Sequence, residues 1–269
     1  MSDLAEPLLI VADNLSLGWA QVLETLVTRS GGEISPLTLS ITGFDDAGVA
    51  SENPAIREAL DALLVAEDKR KVENVAFTIF PERYWSLAGK DRKAFFQLYK
   101  DAFARIQEFN PRNNRRGSYF QRLVDLAGDG KGPDQLDWIL TEYEKHPEGR
   151  RSKWQATTFD PARDQTSTAQ LEFPCLQQVS FTFSEGRGLV LNAFYATQQI
   201  VHKGYGNYLG LCQLGAFMAH EMGRKFVRLN VFVGVAKMDK IRKSNPNFQA
   251  LLGVTRAELA TAGRLKVAA

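Results

Sequence analysis

Apolar residues first recur at helical spacing between about Asn14 and Thr28. Leu17, Trp19, Val22, Leu23 and Leu26 would share one face, and Ser30-Gly31-Gly32 closes the segment. Leu37 to Ile41 alternates as a half-buried strand does. Asn53-Pro54 opens a helix through about Leu64, with proline in the first turn, where its missing N–H does no harm. Val75 to Phe80 is a continuous apolar run that predicts a buried strand, stopped by Pro81. Asp91 to Phe109 predicts a long amphipathic helix carrying Phe95, Phe96, Leu98, Tyr99, Phe103 and Ile106. Gln135 to Lys145 predicts another helix. A strand is expected from Arg150 to Phe159, then a polar surface loop from Asp160 to Thr168.

From Pro174-Cys175 the pattern changes to period two through Phe183, turns at Ser184-Glu185-Gly186-Arg187-Gly188, and returns from Leu189 to Ala196. This is a β-hairpin signature. A glycine-led helix follows from about Tyr205 to Met222, then a strand from Phe226 to Val233. Short helices are expected around Lys237 to Arg242, Phe248 to Leu252 and Arg256 to Ala262. Strands separated by helices around a central antiparallel hairpin predict an α+β fold, a mixed β-sheet with packed helices.

Length changes this picture little: 269 residues can form one domain with a large core. The formal net charge is +2, which argues against a dedicated nucleic-acid surface and leaves room for a local basic pocket. The two cysteines, Cys175 and Cys212, make no disulfide framework or zinc pattern, and His146, His202 and His220 share no metal-ligand spacing. No metal is expected. The sequence has no secretory signal and no apolar run of the ~20 residues a membrane span needs, so a cytoplasmic setting is expected.

Cys175 is the residue with most chemical promise. A thiol at a strand start, with Arg150 and Arg151 upstream, can act as a nucleophile beside an anion site, since the thiolate is the reactive form and cations favour it. The plainer alternative is a packed core thiol. Cys212, among Leu211, Leu214 and Phe217, reads as packing. Arg112-Asn113-Asn114-Arg115-Arg116-Gly117 is a basic connector, read as a solvated loop.

The order of these elements, and a few short motifs, resemble thymidylate synthase and its pyrimidine nucleotide hydroxymethylase relatives. Gly149-Arg150-Arg151 stands after a helix and before a strand, as that family's paired arginines do. Pro174-Cys175 stands where the family carries its nucleophile. Tyr195-Ala196-Thr197-Gln198-Gln199 ends the second hairpin strand, and Asn207 lies in the first turn of the next helix, where the family reads its pyrimidine. Gly117-Ser118-Tyr119 resembles the family's tyrosine segment, and Arg29-Ser30-Gly31-Gly32 its phosphate loop. The likeness runs from 117 to 235 and is weak over 1–116 and 236–269, within one domain spanning 1–269.

The resemblance implies a thymidylate-synthase-like fold and a sheet-mediated homodimer. The implied chemistry is C5 alkylation of a pyrimidine nucleotide through a Cys175 adduct, with 5,10-methylenetetrahydrofolate as carbon donor. Hydroxymethylation is preferred to methylation, and a uridine-type base to a cytidine-type one. Glu58 would relay protons, with Glu82 as rival, and Tyr119 would assist at the thiol. Asn207, Arg150, Arg151, Arg29, Gln198 and Thr197 would hold substrate, and Gln199 and Trp85 the folate. Each has a plainer reading: Asn207 as a helix cap, the arginines as solvated charges, Trp85 as core. His202 and Lys203 flank the helix entry and could supply positive charge, although solvent exposure is the simpler expectation.

Several positions depart from the family pattern. Ala196 stands where the phosphate-gripping arginine is usual, Gln199 replaces the folate-side aspartate, and Leu176 the usual histidine after the nucleophile. Ala236-Lys237-Met238 occupies the place of the sugar-binding His-x-Tyr pair. A second reading follows: a homologue that keeps the fold and binds nucleotide in a regulatory role without turnover.

Overall fold

Alternating residues of the strands bury one face of a mixed seven-stranded sheet, and helices pack on that face. The computed structural model describes residues 6–109, 111, 117–128, 134–165, 167, 174–186 and 188–268, with side chains to 263. Arg112 to Arg116, Phe173, Arg187 and part of the 160–168 linker lie outside the described residues. The elements in chain order are β1 (Leu8–Ala12), α1 (Leu15–Thr28), β2 (Glu33–Ile34), β3 (Leu37–Ile41), α2 (Pro54–Ala66), α3 (Val72–Ala76), α4 (Glu82–Leu87) and α5 (Arg92–Phe109). They continue with α6 (Tyr119–Val124), α7 (Gln135–Lys145), β4 (Gln155–Thr157), α8 (Pro161–Asp164), β5 (Leu176–Phe183), β6 (Leu189–Gln199), α9 (Tyr205–Glu221), β7 (Phe226–Lys237) and α10 (Pro246–Ala268).

The strand order is β1-β3-β7-β6-β5-β4, with β2 pairing the far end of β7. β1 runs parallel to β3 and β6 parallel to β7, while the other pairs are antiparallel. Leu37, Leu39 and Ile41 of β3, Leu229, Val231 and Val233 of β7, and Leu191 and Tyr195 of β6 are fully buried beneath the helices. The opposite face carries Leu9, Val11, Phe194 and Phe232, exposed by 66%, 59%, 37% and 41%, so no element among the described residues covers it. Phe194 and Phe232 pair in register and stack at 5.6 Å. Beside them Ser40, Asn230, Asn192 and Thr182 form a hydrogen-bonded ladder across four strands.

The caps follow local chemistry. Asn14 accepts from the Leu17 N–H at the start of α1, and Asn53 from the Ile56 N–H at the start of α2, so each asparagine satisfies an orphan donor. Four expectations are corrected. Val75 to Phe80 is no strand: α3 covers its first two residues and turns the rest, because the run packs against α9 at glycines. A Cβ on Gly206 would lie 2.7 Å from the Val72 carbonyl, and one on Gly210 2.7 Å from that of Ala76, so the backbones touch. The strand expected over Arg150 to Phe159 shrinks to β4, since residues 151–153 form a 3-10 turn and Trp154 is fully buried. The Asp160–Thr168 loop begins with α8, which inserts Asp164 into the interior. The helices expected around Phe248 to Leu252 and Arg256 to Ala262 are one helix, α10, and the one expected around Lys237 to Arg242 is absent, since Lys237 ends β7 and 238–245 is non-helical. β1 is an element the periodicity did not show. Among the described residues no helix is long and apolar enough to cross a membrane.

Candidate functional site

Cys175 sits one residue before β5, after the buried Pro174, and is half-buried. The Ala196 N–H donates to its carbonyl at 3.1 Å, which ties the thiol to the last third of β6. A register shift between Leu176 and Gln178 re-aims the strand start, the usual effect of a bulge. Thr158 donates to the Leu176 carbonyl and clamps the same turn from the other side. Burial pushes the Cys175 thiol up from its ordinary value, while the Thr197 hydroxyl hydrogen bond and the Lys203 charge pull it down. Burial prevails, so the resting group at neutral pH is the thiol.

Tyr119 opens α6 beside it. Burial raises the Tyr119 phenol, opposed in part by hydrogen bonds from the backbone N–H groups of Leu176 and Cys175. The phenol therefore stays protonated against the nucleophile's own backbone. Tyr195 is fully buried, its hydroxyl interacts with Cys175, Tyr119 and Tyr208, and it has no hydrogen-bond partner among the described residues. Gln198 lies in the same layer: its Oε1 accepts from the Tyr208 hydroxyl at 2.6 Å and its buried Nε2 is left without a partner among the described residues. So many unsatisfied polar atoms are rare in a finished core and common where a ligand or water completes the site.

The chain leaves β6 through a π-helical turn, Ile200–Gly204, that runs directly into α9. Asp239 organises this turn by accepting from the Val201 and His202 N–H groups and from the His202 ring at 2.8 Å. Lys203 leaves the turn on the exposed side. Asn207 follows in the first turn of α9 and is only 4% exposed, and its amide is not among the buried polar atoms left without a partner. It is not an N-cap, since the helical backbone already runs through Gly204.

A cavity of about 810 Å³ lies between α3, α4 and α5, lined among others by Arg70, Glu73, Phe77, Glu82, Tyr84 and Ser118. Ser118, the residue before Tyr119, is part of its lining, whereas Cys175, Tyr119, Thr197, Gln198, Lys203 and Asn207 are not. Burial raises the Glu82 carboxyl, and the Glu73 charge adds to the rise. Glu73 also pairs with Arg57 at 3.3 Å.

The structure thus brings together Cys175, Tyr119 and Thr197, links Gln198 to them through Tyr208 and Tyr195, and places Asn207 one residue before Tyr208 on α9. It puts Arg29 at the same end of the sheet, where β2 meets the end of β7, with its guanidinium on the Glu6 carbonyl at 3.0 Å. Gln199 is exposed at the end of β6. Three expectations separate from the group. Glu58 is exposed on α2 and lines no part of the cavity, whereas its rival Glu82 does. Trp85 is 7% exposed, packed edge-on against Phe95, Phe217 and His220, with no face left for a ring to stack on. Arg150 and Arg151 are exposed near Trp154, whose carbonyl bonds the Phe181 N–H, while Cys175 is at the other end of β5. Six strand residues separate these ends, roughly 20 Å, so within one chain the pair does not reach the thiol. Glu73, Arg70 and Lys69 carried no readable signal: their run, Asp68 to Glu73, looks like a solvated charge cluster, and only the burial of Val72 and Val75 turns it inward.

No family model matches the chain, and no curated protein matches it.

Proposed function

We propose that this chain is a pyrimidine nucleotide C5 hydroxymethyltransferase or methyltransferase of the thymidylate-synthase-like fold, acting through Cys175. The observation that carries the reading is a half-buried thiol with Thr197 and Tyr119 on it, in a fold that also buries an asparagine in the first turn of the helix following β6. A buried amide suits the O4/N3 edge of a pyrimidine, since it offers a donor and an acceptor together.

The roles follow from the chemistry. The Cys175 sulfur bonds to C6 of the ring, and the displaced π electrons move to C5 and O4. C5 then bonds to the methylene carbon of the folate and loses its proton, the C–N bond to the folate breaks to leave an exocyclic methylene, and water (giving hydroxymethyl) or hydride from the reduced folate (giving methyl) adds there as the double bond returns and the sulfur departs. Reduced folate supplies the carbon at the methylene level. The cavity between α3, α4 and α5 offers a flat heterocycle the aromatic walls of Phe77 and Tyr84. Glu73 and Glu82 line it and take the proton-carrying role in place of Glu58.

The open sheet face supports a two-fold homodimer: Leu9, Val11, Phe194 and Phe232 form an apolar patch that a second copy would cover. The position of Arg150 and Arg151, far from their own thiol, is compatible with service to a partner's site.

The decisive experiment incubates the protein with a panel of 5-fluoropyrimidine nucleotides, with and without methylenetetrahydrofolate, and measures intact mass. A covalent ternary adduct at Cys175 supports the reading. A nucleotide that binds without any adduct favours the regulatory alternative, which the burial-raised thiol also favours. No binding of any pyrimidine nucleotide removes both.

A further inference from the structure

The continuous helical path from Ile200 to Glu221 has no local cap: Gln199 precedes it with extended backbone and makes no side-chain bond to the first turn. The first N–H groups of a helix lack partners inside it. Here Asp239 answers two of them from the connection after β7, 38 and 37 positions along the chain. One carboxylate oxygen accepts from the Val201 N–H at 2.7 Å and the other from the His202 N–H at 3.3 Å. The Asp239 side chain is fully enclosed, so these bonds are made without competition from water. A carboxylate at this place also faces the positive end of the helix dipole. His202 Nδ1 stands 2.8 Å from the same carboxylate, a separation at which that nitrogen carries a proton. The ring's Nε2 is buried and bonds nothing among the described residues, so Asp239 alone selects the tautomer.

Other contacts hold the same path from other sides. Trp19 of α1 donates from its indole N–H to the Ile200 carbonyl at 2.9 Å. The Tyr205 hydroxyl lies 2.6 Å from the Ser16 hydroxyl and 2.6 Å from a Glu52 carboxylate oxygen. At Gly206 the helix backbone is pressed against the Val72 carbonyl. These contacts fix where the helix lies, whereas Asp239 fixes where its winding starts. The distinction matters for Asn207, six residues after Val201, because a slip of one residue in that start turns its side chain by about 100° about the helix axis.

We infer that Asp239 is a positioning residue for Asn207: it caps the helical path from another part of the chain and so sets the direction in which the buried amide is held. The inference rests on the proposed function only in naming what Asn207 serves; the cap itself requires no ligand.

The test compares the intact chain with Asp239→Ala and with the isosteric Asp239→Asn, which keeps one acceptor and guards against simple misfolding of the first variant. Hydrogen–deuterium exchange is followed by mass. Protection over 200–207 is expected to fall about 3- to 30-fold in Asp239→Ala, the effect of a lost helix cap, and by less in Asp239→Asn. Peptides from β5 and from the second half of α9 are expected to exchange as in the parent. Nitrogen NMR is expected to find the proton of the neutral His202 ring on Nδ1 in the parent and on Nε2 in Asp239→Asn, a change that packing alone would not produce. The side-chain amide signal of Asn207 is expected to shift in both variants. Unchanged protection over 200–207, an unmoved Asn207 signal, a parent ring proton on Nε2, or a loss of protection spread evenly over the chain overturns the inference. No nucleotide is present, so failure of the nucleotide-adduct experiment leaves these readouts intact.

Discussion

The Ala196 N–H donates to the Cys175 carbonyl at 3.1 Å, so the nucleophile's backbone is pinned to the strand whose next residue, Thr197, reaches its sulfur. Position and activation are therefore supplied by one short segment. Thr197→Val keeps the strand shape but removes the hydroxyl that favours the thiolate. The Cys175 thiol should then titrate higher, and its iodoacetamide alkylation at pH 8 should fall several-fold, about the worth of one charge-assisted hydrogen bond. An unchanged pH profile would mean that the hydroxyl does not serve the sulfur.

Asn207 offers a test of base choice. Asn207→Asp replaces a donor–acceptor pair with acceptors alone, which mismatches uracil and suits a protonated cytosine edge. Uridine nucleotides should bind more weakly by about 1–3 kcal/mol, with a shift toward cytidine nucleotides, as read by calorimetry. Equal weakening of every ligand would leave Asn207 a packing residue.

The two candidate acids separate by position. Glu58→Gln, on the exposed face of α2, should leave turnover and C5 hydrogen exchange unchanged. Glu82→Gln, on the cavity wall, should lower both by ~10²-fold or more, the usual scale of general acid–base assistance. The opposite ordering would return the proton-relay role to α2.

Assembly depends on the open face of the sheet. The parent protein should sediment as a dimer at micromolar concentration. Phe232→Glu places a charge beside the Phe194–Phe232 stack, where a partner would have to desolvate it, and should yield a folded monomer. A parent that is monomeric, or a variant that still dimerises, would move the interface elsewhere.

Arg122 and Asp164 give a stability prediction independent of function. Both are buried, with bidentate contacts of 2.7 and 2.9 Å. Burial works against ionisation of Asp164, but the Arg122 hydrogen bonds, the Asp160 N–H and the charges of Arg122 and Arg163 outweigh it and hold the carboxyl below its ordinary value. A depressed carboxyl contributes its stability in full above the unfolded value and loses it as pH falls through the folded one. Asp164→Asn should therefore cost about 3–5 kcal/mol at pH 7, by urea unfolding. The variant should also show a shallower loss of stability than the parent below about pH 4.

The helices with long apolar stripes were legible: Leu17 to Leu26 and Phe95 to Ile106 leave no other way to bury their side chains. The hairpin from Cys175 was legible for the same reason at period two. Val75 to Phe80 was not, because a six-residue apolar run satisfies either a strand or a turn-and-helix. What decides it is Gly206 and Gly210, more than a hundred residues away. Within the candidate site, Cys175, Tyr119 and Asn207 stand out in the sequence by residue type and neighbours. Glu73 and Arg70 did not, since a charge run looks solvated until something packs over its flanking valines. Asp164 was hidden in the same way, as one acid in a polar stretch whose burial depends on Arg122, 42 positions earlier.

The seam between α3 and α9 is made of missing side chains, and this limits how the cavity can change over generations. Alanine is the smallest departure from glycine, and at Gly206 its methyl already meets the Val72 carbonyl. No graded series of substitutions can widen or tilt that wall. Altered ligand preference must instead be explored from the α4 and α5 side, where Tyr84, Leu98 and Arg105 can be exchanged for longer or shorter neighbours one step at a time. One half of the pocket is a fixed template, and the other is the ground on which specificity can drift.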